Sequence, residues 1–157
     1  MTKSEKPFAG RPPRLEQIFS AQPLYFVTFN SWQRSPLLAN ESVHTAFCEY
    51  AEKNLARGAA VGRYVIMPDH IHLFVRIGHE GQLTTFIRLL KQTLSRTLKE
   101  SGSKPPYWQP GFFDHLLRGS DSYSEKWNYV RMNPVRAELV QSPEEWPFQG
   151  EIEIIRY

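Results

Sequence analysis

Val61-Gly-Arg-Tyr-Val-Ile-Met67, then Pro68-Asp69, then His70-Ile-His-Leu-Phe-Val-Arg-Ile77 is the stretch on which the fold of this chain turns. Both apolar runs are rich in β-branched and aromatic residues, and Pro-Asp between them is turn chemistry, so the stretch predicts a β-hairpin. Upstream, Leu24-Tyr-Phe-Val-Thr-Phe-Asn30 has the same strand composition. Between that strand and the hairpin, Asn40 or Ser42 supplies a helix cap, and the helix runs to about Ala56, where Arg57-Gly58 ends it. Downstream, Leu83, Ile87, Leu90, Leu94 and Leu98 recur at three- and four-residue spacing, which predicts an amphipathic helix over Gln82 to Glu100. Gly102 to Pro106 breaks it, and Phe112 to Arg118 predicts a fourth strand. Ser122-Tyr-Ser-Glu125 has the capping-box form and starts a third helix, which Pro134 must end, kink or restart.

Strand, helix, strand, strand, helix, strand is the ferredoxin-like β-α-β-β-α-β arrangement, an α+β fold with one antiparallel sheet and two helices on one face. The third helix is an addition, and the other sheet face is expected to be open. Residues 1–22, with Pro7, Pro12 and Pro13, read as an irregular basic arm; residues 148–157 read as a tail without a predicted element.

A length of 157 residues suits one core. No run approaches the roughly 20 apolar residues of a membrane span, and no apolar segment follows the first residues as in a signal peptide, so a cytoplasmic protein is expected. The single Cys48 excludes an internal disulfide or a cysteine-rich zinc cage. The net charge of +3 is a mild hint of an anionic partner. Its distribution is more informative, because residues 141–157 hold four acidic groups and one basic group and leave the body basic. Trp32, Trp108, Phe112, Phe113 and Trp127 lie close in sequence to Arg or Lys, a mixture that suits single-stranded nucleic acid as well as core aromatics beside solvated charges.

Strand alternation puts the imidazoles of His70 and His72 on one face, with Ile71, Phe74 and Arg76 expected in another set. Two rings one pleat apart can close on one metal ion, although the same pair also suits two unrelated histidines. Tyr129 and Asn133, four residues apart, differ by about 40° around a helix and share a face. Asn133 also precedes Pro134 and reads equally as a helix cap. Tyr123 lies about 120° away from Tyr129 and is the rival tyrosine. On the leucine-striped helix, Arg88, Lys91, Arg96 and Lys99 occupy one arc opposite the stripe, where they suit a phosphate track or a solvated face. Arg118 and Arg136 are further candidates for gripping a strand.

Met67-Pro-Asp-His-Ile-His-Leu-Phe-Val75 resembles the His-hydrophobic-His signature of the HUH single-strand nucleases, in the form used by insertion-sequence-type tyrosine transposases. Trp108-Gln-Pro-Gly-Phe-Phe-Asp-His115 with Arg118, Tyr129-Val-Arg-Met-Asn-Pro-Val-Arg-Ala137 and Glu145-Trp-Pro147 are similar to the branch called REP-associated tyrosine transposases. The resemblance runs from about Tyr25 to Pro147, so residues 23–147 are expected to form the transposase domain. It departs at Glu138, where the family often has Gly, and the segment between Arg118 and Tyr129 is short.

The resemblance implies a ferredoxin-like fold, Tyr129 as the nucleophile, and His70, His72 and Asn133 as ligands of a divalent ion, Mg²⁺ or Mn²⁺. It implies single-stranded or hairpin DNA of palindromic repeats as the partner, with the protein a monomer or homodimer. Cleavage would leave a 5′-phosphotyrosine and a free 3′-hydroxyl, and a second 3′-hydroxyl can then displace the tyrosine, so that one residue cuts and rejoins. Three other readings stay open: a non-catalytic nucleic-acid-binding module on the same strand order, a zinc hydrolase that uses water, and a hairpin-binding protein domesticated to another role.

Overall fold

The computed structural model describes residues 22–156, so the expected basic arm lies outside the described residues except for Gln22. Alternation divides β1 (Leu24–Asn30) between two layers, with Tyr25, Val27 and Phe29 in one and Leu24 and Phe26 in the other. β2 (Ala60–Ile66) and β3 (His70–Arg76) form the expected hairpin, whose turn closes with Met67 N donating to His70 O at 2.8 Å. β3 also pairs antiparallel with β1, so that Thr28 lies opposite His72 and Phe26 opposite Phe74. β4 (Phe113–Leu117) runs along the free side of β1, with Thr28 opposite Phe113 and Phe26 opposite His115.

The sheet order is β4-β1-β3-β2-β5, and its first four strands stand in the ferredoxin-like order. The fifth strand, β5 (Gln149–Glu151), comes from the tail and pairs with β2. Its register is fixed by close contact, because a Cβ at Gly150 would come within 2.8 Å of Tyr64 Oη. Beyond it, Ile152 N and Glu153 N donate to Gly62 O and Val61 O, at 3.1 and 2.9 Å. Arg76 is buried, and its guanidinium donates to the carbonyls of Gln22 and Arg156, at opposite ends of the described chain.

α1 (Glu41–Leu55) and α2 (Glu80–Glu100) cover the layer of Val27, Ile71, Leu73 and Val75. Asn40, rather than Ser42, caps α1, its Oδ1 accepting from Val43 N at 3.0 Å. The predicted leucine stripe of α2 is buried, joined by Phe86. No helix among the described residues is long and apolar enough to cross a membrane.

α3 (Ser120–Val130) packs on the opposite layer through Tyr123, Trp127 and Val130. It begins before the predicted capping box, with Gly119 as the capping residue, so Ser122 already lies inside the helix. α4 (Asn133–Arg136) follows after Arg131 and Met132, the restart that Pro134 permits at a first turn. The exit from α4 has Glu138 N donating to Val135 O and Leu139 N to Pro134 O, both at 2.9 Å, with Glu138 at φ 61°. This left-handed end is the geometry that glycine adopts without strain, which accounts physically for the glycine expected at that position.

One sequence expectation is overturned by register. Phe74 and Arg76 have the same parity as His70 and His72 and share their layer: Phe26, opposite Phe74, stacks on His72 and contacts Phe74. Only Ile71 belongs to the other set.

Candidate active site

The two histidines stand on the sheet face that α3 covers only in part. Their ring centroids are 4.7 Å apart, nearly edge to face. His72 Nδ1 meets Thr28 Oγ1 at 2.7 Å, and Phe26 stacks on the ring at 5.3 Å. His70 Nδ1 meets Asp69 Oδ1 at 2.7 Å and lies 3.2 Å from Arg34 Nη2. A guanidinium can only donate, so the shorter contact with the carboxylate sets the tautomer: Nδ1–H donates to Asp69 and Nε2 keeps a lone pair. Arg34 also donates through Nε to Asp69 Oδ2 at 3.1 Å, from a backbone at φ 55°.

Burial lowers the pKa of His70, with Asp69 partly offsetting it. His72 is pushed down to about 3, first by burial and then by the charges of His70, Arg136, Lys126 and Arg34. Both imidazoles are therefore held neutral at physiological pH, the form that binds a metal ion. Burial pushes Asp69 upward, but its bonds to His70 and Arg34 outweigh this and hold its carboxyl below the usual range.

Tyr129, near the end of α3, is 65% exposed. The helix breaks just beyond it, since Pro134 has no N–H and Met132 N reaches only three residues back, to Tyr129 O at 3.3 Å. Arg136 uses the break. Its guanidinium lies 4.0 Å from the Tyr129 ring centroid, donates to Tyr129 O at 2.8 Å, and donates to Asn133 Oδ1. Asn133 therefore does not act as a helix cap: Met132 holds the capping position, and no side chain caps α4. Tyr123, the rival tyrosine, is 8% exposed, packs on Phe74 and accepts at Oη from Arg63 N at 3.4 Å.

The structure thus joins Tyr129, Asn133 and Arg136 into one cluster and places His70 and His72 side by side, with Arg136 close enough to act electrostatically on His72. Among the described residues, no three His, Cys, Asp or Glu side chains form a metal-binding group. Two neutral imidazoles are a donor pair that fits a divalent ion with positions left for phosphate and water, whereas the amide oxygen of Asn133 accepts from Arg136. Arg118 is exposed just beyond β4. The α2 cations sit apart from the histidines, on the helix-covered side of the sheet. Arg88, Arg96 and Lys99 are exposed there, whereas Lys91 donates to Gln109 O at 3.2 Å and Gly111 O at 2.6 Å and lies over Phe29.

Sequence reasoning missed Thr28, Phe26, Arg34, Asp69 and Lys126 as supports of this site. Asp69, next to His70 in the turn, carried the one local signal; the others reach the histidines only through strand pairing and packing.

Residues 24–132 match the family described as IS200-like transposases. The chain belongs to that family. An Escherichia coli K12 REP-associated tyrosine transposase is 28% identical over 91 residues, covering 56% of this chain and 52% of that protein. A Haemophilus influenzae relative, provisionally named a REP-associated tyrosine transposase, is 29% identical over 100 residues, covering 54% of each. The chain thus spans about half the length of the curated relatives it matches. Among solved structures, a REP-associated tyrosine transposase bound to a REP hairpin has a TM-score of 0.64 at 21% identity, covering 82% of this chain and 76% of that one. That likeness supports the fold of this member of the IS200-like family.

Proposed function

We propose that this chain is a metal-dependent, single-strand-specific DNA endonuclease and strand transferase that acts on hairpin-forming repeats through Tyr129. The observation that carries the reading is the exposed Tyr129 ring, clamped by Arg136 on a helix that packs on the same sheet layer as the pair of neutral histidines. Membership of the family and the hairpin-bound structural neighbour support it.

Tyr129 Oη attacks the phosphorus of a DNA phosphodiester, and the bond from phosphorus to the 3′ oxygen breaks. The phenolic proton leaves as the new bond forms, and the departing 3′ oxygen takes up a proton to become a hydroxyl. The product is a 5′-phosphotyrosine. In rejoining, a second 3′-hydroxyl attacks the same phosphorus and the phenolate departs, a better leaving group than an alkoxide. Phenols ionise near pH 10, so the phosphate needs help from nearby charge. A divalent ion, Mg²⁺ or Mn²⁺, held by His70 and His72, with Asn133 as third ligand once Arg136 releases its amide oxygen, would supply Lewis acidity at the phosphate. Arg136 fixes the ring of Tyr129, while Asp69 and Thr28 fix the two imidazoles.

Incubating the protein with labelled single-stranded hairpin DNA and Mn²⁺ or Mg²⁺ should give a covalent adduct on a denaturing gel. Tyr129→Phe should abolish the adduct and leave hairpin binding within a few fold. An adduct that survives in Tyr129→Phe but is lost in Tyr123→Phe would overturn the assignment.

A further inference from the structure

Ser122, Glu125, Lys126 and Tyr129 stand at i, i+3, i+4 and i+7 on α3 and share one side of the helix. With His115 and Leu117 of β4, they line a cleft of about 290 Å³. The neighbouring side, through Tyr123, Trp127 and Val130, fastens the helix to the sheet. The proposed nucleophile is therefore part of the cleft wall.

The chemistry of the cleft differs from that of a phosphate groove. Lys126 suits an anion, but Glu125 does not, since a carboxylate beside a phosphodiester repels it. Against a base edge, the same carboxylate accepts a hydrogen bond from an exocyclic amine. The cleft wall holds the Tyr129 ring, and outside the lining, two residues along the same face of β4 from His115, Phe113 is 59% exposed. The cleft combines an acceptor and donors, with exposed aromatic surface at its wall and next along β4.

We propose that the cleft between β4 and α3 takes an unpaired base of a nucleotide flanking the phosphate that Tyr129 attacks, and that Glu125 selects cytosine over thymine there. The inference rests on the reading of Tyr129 as nucleophile. Cytosine and thymine have the same ring, but cytosine offers an N4 amine where thymine offers the O4 carbonyl. Glu125 accepts from the amine and faces lone pairs on the carbonyl. Lys126, with Nζ 5.2 Å over the Phe26 ring, and His115 supply donors for the O2 and N3 acceptors of cytosine.

The test is binding selection without cleavage, in chelator, from a pool of hairpins with randomised single-stranded flanks. The bound pool of the wild-type protein should be enriched in cytosine over thymine at one flanking position, by roughly tenfold for one good base contact. Glu125→Gln should lose that enrichment while preferences at other positions remain, and Glu125→Ala should do the same. Wild-type binding with no cytosine preference at any flanking position would overturn the proposal, as would a preference that both variants retain. The adduct assay reports separately on Tyr129: a wild-type protein that selects cytosine but forms no adduct would sink the nucleophile reading and leave the base selection standing.

Discussion

Arg136 holds the Tyr129 ring by its face and the Tyr129 carbonyl by a hydrogen bond, and it occupies Asn133 Oδ1 as well. A planar guanidinium can make all three contacts together, whereas an ammonium cannot. Arg136→Lys should therefore slow adduct formation by tenfold or more while hairpin affinity changes only a few fold, as gel assays and anisotropy on one preparation would show; equal losses in both would mark Arg136 as a phosphate contact instead. His72 gives a second expectation. Its folded pKa of about 3 lies below the ordinary 6.5, so between those values the unfolded chain binds the extra proton. Stability from this group is thus fully present above about pH 6.5 and is lost as the pH falls toward 3, with a slope approaching about 1.4 kcal/mol per pH unit. Denaturant melts of metal-free protein between pH 7.5 and 4.5 should show that loss, and His72→Phe should flatten it. An unchanged slope in the variant would place the acid sensitivity elsewhere.

At the scale of elements, β2 is closely approached at Gly62 on the layer that carries α3. A Cβ on Gly62 would meet Ile155 Cγ1 at 2.6 Å and Tyr123 Oη at 2.8 Å. Both neighbours are packed, so Gly62→Ala should destabilise by about 1 to 3 kcal/mol, read as a lower denaturant midpoint. A neutral result would mean that the tail yields its place easily. The hairpin around Pro68-Asp69, the leucine stripe of α2 and the restart at Pro134 were legible in the sequence because each depends on neighbours within a turn or two. The start of α3 was misplaced, because the Ser122–Glu125 pattern has the right spacing one turn too late and Gly119 gives no side-chain cap to notice. β5 had no signal: three residues containing a glycine become a strand only because β2 has a free edge beside them. The site divides along the same line. His70, His72 and Tyr129 could be picked out as residue types at known spacings. The competing cap role of Asn133 and the pairing of Thr28 with His72 depended on backbone angles and register that local sequence does not determine.

Across the whole molecule, the sheet separates two kinds of surface. α1 and α2 close one side over a continuous core, while the other side carries Tyr129, the histidine pair and the cleft behind β4. The guanidinium of Arg76, grasping Gln22 and Arg156 from within the interior, joins the ends of this architecture. Topologically the folded body is then close to a ring, and where the ring is cut is a matter of synthesis more than of packing. A short flexible linker from Arg156 to Gln22, with new ends opened at the exposed Gly102, whose surroundings are empty at φ 96°, should yield a circular permutant with the parent's circular dichroism and a similar melting temperature. A permutant that fails to fold would show that the order of synthesis matters to this body after all. One that folds would carry its tyrosine much closer to the new start of the chain, and Tyr129 would still stand over the same face of the sheet as the histidines.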